Sequence, residues 1–466
     1  MGVFGPDLSP ATLGYGFGIF LSPVHQLVRF NGFRPKAIGH RVTVRTRISG
    51  EAKSLGVIAI VATVAAAFAH LLREGIFRAA DYLGSSRDAT RATSSLPLTG
   101  RFAIVFVGLL VAGWIGRFAH RRYGDRLGIA AVASGARGDG EGPSLVGTFE
   151  RAGGTFVASA ALSSIGREVA IMEAGGSMGY TAGRLFQLDA PSIAAAGIGA
   201  AFASAYHAPM AAILYVEEHL GVRRRPRAAI ATALGAAIGH LVTIRFLHGH
   251  ALFAKPAAGH RGELIVLGLV AVGPVVVATR VFRIARNRVT PSRERPSRYT
   301  RQLVFAAVAA LTITFAPISA GNGMEALRGT TAGASIGLIL TLALWKALAT
   351  SATLGSGAPG GAFSPSMAVA AGWALLTWKL IAELGATLPS DRWAGVLIAM
   401  AIGIAIGLDA PLVASLIVAE MTGDPSLIPF TAGLVGLAVL CDKGLDRVVH
   451  RFQFDDSVRR VRGEDG

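Results

Sequence analysis

Apolar residues occur along this chain in blocks too long for strands and too continuous for the one-sided helices of a water-soluble domain. The blocks fall near 55–72, 102–119, 155–165, 190–216, 228–247, 264–282, 303–318, 332–353, 366–386, 393–407, 410–421 and 427–441. A helix that crosses the hydrocarbon core needs about 20 apolar residues. Several blocks reach that length and predict spanning helices. Others stop well short and are broken by glycine. Short, interrupted hydrophobic segments point to broken helices that meet near the bilayer midplane. Irregular backbone at that depth survives only inside protein or against an aqueous cavity. The pattern therefore predicts an all-α polytopic membrane protein, a transporter or channel rather than a receptor or a simple anchor.

Composition agrees. Of 466 residues, 52% are hydrophobic and only 16% charged, against about 25% charged in a soluble domain. That excludes a disordered chain and argues against an ordinary soluble enzyme. The 45 Lys and Arg against 28 Asp and Glu leave a net charge of +17, which first suggests nucleic acid or an anionic surface. Position decides the matter. Residues 29–53, 117–126, 223–227, 280–301 and 443–462 carry 29 of the 45 basic residues, and long apolar stretches separate these segments. Basic loops stay in the cytoplasm, so the charge reads as topology: a multi-pass protein of the inner or plasma membrane with both termini cytoplasmic, in contact with lipid and not with nucleic acid. One cysteine, Cys441, leaves no internal disulfide and no cysteine-based metal site. No metal or cofactor is expected, and no nucleotide loop or nucleophile elbow stands out.

The chain also repeats itself. Residues 199–218 read GAAFASAYHAPMAAILYVEE and residues 401–420 read AIGIAIGLDAPLVASLIVAE. In each, an Ala-Pro pair opens an apolar helix and a glutamate lies nine residues after the proline: Pro209 with Glu218, Pro411 with Glu420. Upstream, each half has a glycine-flanked loop, Gly166-Arg167-Glu168 in the first and Gly360-Gly361-Ala362-Phe363-Ser364-Pro365 in the second. The spacing argues for two related halves, 54–255 and 262–441, between an N-terminal extension, 1–53, and a short tail, 442–466; chance recurrence in a Gly/Ala-rich chain is the alternative. The extension lacks the charge order of a secretory signal, and the tail is too short for a folded domain. The second loop feeds the apolar run 366–386, so free N–H groups and the positive end of a helix dipole face it. That suits a small anion, with Gly361, Ala362 and Phe363 as backbone donors; a simple helix break is the alternative. Glu168 is a carboxylate at membrane depth, which is a functional group by default. While ionised it can occupy an anion's place, and once protonated it can leave; the competing reading pairs it with Arg167.

These motifs together resemble the CLC family of chloride channels and proton-coupled chloride antiporters. GSGAPGGAFSPSMAVAAG (355–372), GRE (166–168), HAPMAAILYVEEH (207–219) and DAPLVASLIVAEMT (409–422) carry the resemblance, which extends over about 54–450. It implies an inverted repeat of tilted and broken transmembrane helices, a homodimer with one anion path per subunit, and a small monovalent anion, chloride first, moved alone or against protons. Glu168 stands in the position of the family's gating glutamate. The family's GREGP reads GREVA here, so Val169 and Ala170 replace Gly and Pro, their amides still able to face an anion. The inner anion loop GSGIP falls on Arg126-Leu127-Gly128-Ile129-Ala130. Gly128 and Ile129 match, while Leu127 replaces the donor serine. Asp446 stands where the family has its anion-binding tyrosine, and a carboxylate there repels an anion unless protonated or turned away. The antiporters' inner proton glutamate falls on His219, with Glu218 as the acceptor if the alignment slips by one. The two lost hydroxyls keep another anion such as fluoride, or a fold without transport, in view.

Overall fold

The computed structural model describes residues 40–222, 225–249, 251–256, 261–291, 298–329, 334–387 and 392–462. Most of the expected N-terminal extension lies outside these residues. The chain divides into Met1–Lys53 and Ser54–Gly466, and both expected halves, 54–255 and 262–441, fall within the second unit. Its elements are helical. The first half contains α1 (His40–Gly84), α2 (Ala89–Ser95), α3 (Leu98–Tyr123), α4 (Gly128–Arg137), α5 (Leu145–Ala160), α6 (Glu168–Leu185), α7 (Ala190–Tyr206), α8 (Pro209–Leu214) and α9 (Pro226–Arg245). The second contains α10 (Arg261–Val289), α11 (Tyr299–Phe315), α12 (Met324–Gly329), α13 (Ile336–Gly355), α14 (Phe363–Glu383), α15 (Arg392–Leu408), α16 (Pro411–Thr422) and α17 (Ile428–Arg462). Among the described residues, seven helical stretches are long and apolar enough to cross a membrane, and four shorter apolar helices accompany them. The helix α17 continues without a break through the boundary expected at 441.

Local sequence sets the helix ends. Ser144 and Ser335 accept from backbone N–H groups at the starts of α5 and α13, and prolines occupy the first turns of α7, α8, α9 and α16. Proline lacks the N–H that a helix start would leave unpaired. Small residues then set the packing distance. A Cβ on Gly175 of α6 would lie 2.3 Å from the Gly197 carbonyl of α7, and one on Gly235 of α9 would lie 2.2 Å from the Ala196 carbonyl. Backbones that touch in this way replace a hydrophobic drive that lipid cannot supply. The largest apolar core gathers Phe202, Tyr206, Tyr215 and Phe363 with the inner faces of α14, α15 and α16, so residues of both halves meet at its centre.

The repeat appears as a reciprocal clamp. Glu420, at the end of α16, accepts from the Met210 and Ala211 N–H groups of α8, both at 2.8 Å. Glu218 accepts from the Leu412 and Val413 N–H groups of α16 at 3.1–3.2 Å. Each Ala-Pro helix thus has its free amides held by the glutamate of the other half, where a carboxylate suits the dipole. The chain between Leu214 and Leu220 widens into a π turn, Tyr215–His219, and this presents Glu218. A second polar knot ties α10 to α15 and α17. Arg280 and Arg283 hold the Asp442 carboxylate, while Arg283 and Arg286 donate to the carbonyls of Ile406 and Gly407 at the end of α15.

Replacing Glu420 by alanine should therefore lower unfolding stability in detergent by about 3–6 kcal/mol, from two lost hydrogen bonds to a charged group. The control Ser415→Ala loses only the bond to the Pro411 carbonyl and should cost about 1 kcal/mol or less. Equal losses in the two variants would remove the clamp from the account.

Candidate functional site

The loops before α6 and α14 meet as a short bridge. Gly166 N–H donates to the Gly361 carbonyl and Gly361 N–H to the Gly166 carbonyl, each at 2.8 Å. Gly360 makes the approach with φ +154°, and a Cβ there would sit 2.4 Å from Ile165 and 3.1 Å from the Gly166 carbonyl. The bridge brings together the N-termini of α6 and α14, whose first-turn amides have no intrahelical acceptor. Those of Val169 and Ala170 come from one side, and those of Ala362 and Phe363 from the other. The sequence expectation is corrected at Gly361: its N–H is spent in the bridge and is not offered to an anion.

Glu168 is the first residue of α6 and is only 4% exposed. Its carboxylate turns to α14, where Ser364 Oγ donates to Oε1 at 2.5 Å and Asn322 Nδ2 approaches the same oxygen at 3.4 Å. Arg167 turns away and lies over the Phe77 ring at 4.9 Å. The Arg167–Glu168 couple considered above is therefore not what holds the carboxylate. Asn322 is fixed in turn, its Oδ1 accepting from Met324 N–H at 3.1 Å. Behind it, the fully buried Lys346 donates to the carbonyls of Ser319, Ala320 and Gly321 at 2.9, 3.3 and 2.7 Å. A cavity of about 250 Å³ opens over the carboxylate, lined by His70, Arg73, Arg167, Tyr206, Asn322 and Ser364 among others. A negative group thus sits at two helix N-termini under a basic, roomy entrance.

The other expected residues lie elsewhere. Gly128 and Ile129 open α4, with Gly128 at φ +86°. A Cβ on Gly128 would come within 4.0 Å of Arg151 and Glu173, so the inner loop faces that pair rather than Glu168. Leu127 packs toward Gly147 of α5 beside Tyr123. Asp446 lies within α17 and takes a hydrogen bond from Arg280. It is turned to a cation, so the repulsion expected of it is offset. Glu218 accepts from the first amides of α16. His219 is exposed, and its ring lies 5.0 Å from the Tyr215 ring in a tilted arrangement.

Sequence reasoning missed Ser364, Asn322, Lys346 and the Arg151–Glu173 pair. Lys346, Arg151 and Glu173 carried a signal, being charged residues within or beside apolar helices. Ser364 was visible inside a quoted motif, but its hydroxyl was not weighed.

A family model described as voltage gated chloride channel matches residues 107–443. The chain is 24% identical over 319 residues to the H(+)/Cl(-) exchange transporter ClcA of Vibrio parahaemolyticus, covering 64% of this chain and 68% of that protein. It is 26% identical over 407 residues to the voltage-gated ClC-type chloride channel ClcB of Salmonella typhimurium, covering 83% and 92%. Among solved structures, a slow cyanobacterial Cl-/H+ antiporter superposes with TM-score 0.68 at 17% identity, over 84% of this chain and 94% of that one. A CLC-type fluoride/proton antiporter gives 0.67 at 17% identity, over 88% and 98%. The fold is the CLC fold.

The close approach at the bridge is testable at Gly360. Gly360→Ala should cost about 1–3 kcal/mol of stability from backbone strain and the clash with Ile165. Gly385→Ala is the control, since that glycine also has positive φ but stands in open space. A Gly360→Ala cost no greater than the Gly385→Ala cost, in denaturant titrations, would contradict the close approach.

Proposed function

This chain belongs to the voltage-gated chloride channel family, and from that premise we propose that it carries a small monovalent anion, chloride first, past the junction of α6 and α14 with Glu168 as the gate. One observation supports this above the others: a carboxylate seated at two helix N-termini, with a hydroxyl and a carboxamide donating to it. A place that holds a carboxylate oxygen can hold an anion. Ionised, Glu168 fills the place itself. Protonated, it no longer needs those donors and swings toward the cavity, and an anion enters. The anion sheds water in exchange for the amides of Ala362, Phe363, Val169 and Ala170 and the dipoles behind them. The buried Lys346 ammonium behind the Asn322 loop adds positive charge. At the inner end, Gly128 and Ile129 supply backbone donors without the family's serine.

That missing hydroxyl supports a second substrate reading, fluoride, and one of the structural neighbours is a fluoride/proton antiporter. A fold without transport is disfavoured by the intact gate geometry. The homodimer and the cytoplasmic termini belong to the same proposal. Outward-facing Ile230, Leu241 and Ile244 of α9 suit either a second subunit or lipid tails, and the mass of the detergent-solubilised protein decides between them.

Purified protein in liposomes should release chloride, fluoride or nitrate down a gradient, faster at acidic pH. Absence of flux for all three would end the transport reading. Glu168→Gln should abolish the pH dependence. Ser364→Ala should loosen the seated carboxylate by about tenfold or more, the loss of one hydrogen bond to a charged group, and should raise flux above neutral pH.

A further inference from the structure

Tyr206 has no part in the scheme above, yet it stands in the wall of the cavity over the Glu168 carboxylate, with Ser364 and Asn322. It is the last residue of α7 and is 2% exposed. Neighbouring rings hold it. The Phe363 ring lies 4.7 Å away at 37°, and the Phe202 ring, one turn back on α7, lies 5.0 Å away at 50°. Phe363 opens α14, so the contact sets the phenol beside the helix start that holds Glu168 through Ser364. The Tyr206 hydroxyl is covered and has no hydrogen-bond partner. A buried phenol O–H ordinarily finds one, and an unpaired buried polar group calls for a reason. Core packing alone does not supply it. The stretch Tyr206-His207-Ala208-Pro209 corresponds in the repeat to Leu408-Asp409-Ala410-Pro411. The backbones agree: α7 and α15 end at Tyr206 and Leu408, and a proline opens the next helix in each half. His207 and Asp409 between them are both left-handed, with φ +56° and +57°. The second half builds the same turn with hydrocarbon at the equivalent position, so neither the turn nor the packing requires the oxygen. A second atom in the same cavity wall is in the same condition, for Glu168 Oε2 is also buried without a partner. One group can donate and the other accept, and no bond joins them in this closed arrangement.

We propose that Tyr206 is a specificity-determining residue: its hydroxyl donates to the anion that takes the place of the Glu168 carboxylate, and it favours anions of concentrated charge. The proposal rests on the anion-transport reading above and adds the choice of anion to it. While Glu168 is seated, the Ser364 hydroxyl is spent on Oε1. When the protonated side chain swings out, that hydroxyl is released, and Ser364 and Tyr206 together add two O–H donors to the amides at the junction. A phenol is neutral near pH 7, so it selects by hydrogen-bond strength and not by charge. A bond to an ion is stronger than one to a neutral group, and stronger again where water is scarce. Chloride and fluoride carry their charge on one atom. Nitrate spreads it over three oxygens and accepts more weakly, so loss of the donor weighs more on the halides. Leu127 and Asp446 leave the inner end without its hydroxyls, and Tyr206 supplies one at the gate.

Two substitutions that each remove one hydroxyl make the test. Tyr206→Phe keeps the ring and its packing. Tyr215→Phe is the control: Tyr215 is 3% exposed and its ring lies 4.9 Å from that of Phe202 in the same cluster, but it does not line the cavity. Both are made in the full-length protein, with wild-type Glu168 and with Glu168→Gln, where an uncharged side chain yields its place to the anion. Chloride and nitrate binding is followed by titration calorimetry in detergent, and the flux of each anion in liposomes. In the Glu168→Gln background, Tyr206→Phe should weaken chloride binding about tenfold, the loss of one hydrogen bond to a charged group. It should weaken nitrate binding less and move the flux ratio toward nitrate. Tyr215→Phe should leave both affinities and the ratio unchanged. Unchanged affinity and ratio in Tyr206→Phe overturns the proposal. An equal loss for both anions also overturns it, since that is what a purely structural hydroxyl gives, and so does the same shift in Tyr215→Phe. Each of these results leaves the anion reading intact. Absence of binding and flux for both anions, with either residue at 168, removes that reading and the proposal with it.

Discussion

Two hydrogen bonds between Gly166 and Gly361 fix the place where the two halves of this protein can act on one ion. Hydrocarbon offers no partner to a free amide or carbonyl. A helix that begins inside the membrane must therefore find acceptors for its first amides in protein, solvent or ligand. The Gly166–Gly361 bridge meets this need for the loops themselves and brings the first turns of α6 and α14 together. Ser364 and Asn322 hold the Glu168 carboxylate there, and Lys346 ties down the loop that carries Asn322. The glycines are required by the closeness of the two backbones, since a side chain at 360 would push the halves apart.

The same need is met differently at α8 and α16. These helices also start within the protein, but their amides are taken by carboxylates from the opposite half. One amide set is closed by fixed glutamates, and the other is proposed to take an exchangeable occupant. Glu218 and Glu168 differ in the same way. Glu218 has both oxygens engaged by main-chain donors, whereas one oxygen of Glu168 is buried without a partner. A carboxylate held on one side only is the one that can leave.

Much of this was legible in the chain. The Ala-Pro pairs with glutamate at plus nine announced the duplication, and the glycine-rich loops before apolar runs announced the helix starts. The apolar blocks gave the class of protein. Partners could not be read. Glu218 and Glu420 looked like a repeated feature of each half, but they act across the halves, 194 and 210 residues from the amides they hold. Spacing along one strand of sequence carries no information about such crossings. Asp446 looked like a defect in an anion path because Arg280, 166 residues away, had been assigned to a loop by its charge. Ser364 was hidden because the motif around it drew attention to its amides. Lys346 stood out as a charge within an apolar run, but its partners are carbonyls of an irregular segment, and irregular backbone leaves no periodic trace.

The crossed clamps bear on how the protein is made. A chain is synthesised from its N-terminus, and the first half enters the bilayer before the second exists. During that interval the amides of Met210 and Ala211 lack Glu420, and the Glu218 carboxylate lacks Leu412 and Val413. The early half therefore carries an open helix start and a bare acid in or near the lipid until some two hundred further residues have been added. Insertion of this protein is a wait for a distant partner, and that interval is when a translocon-associated chaperone or a membrane protease would have most access to it.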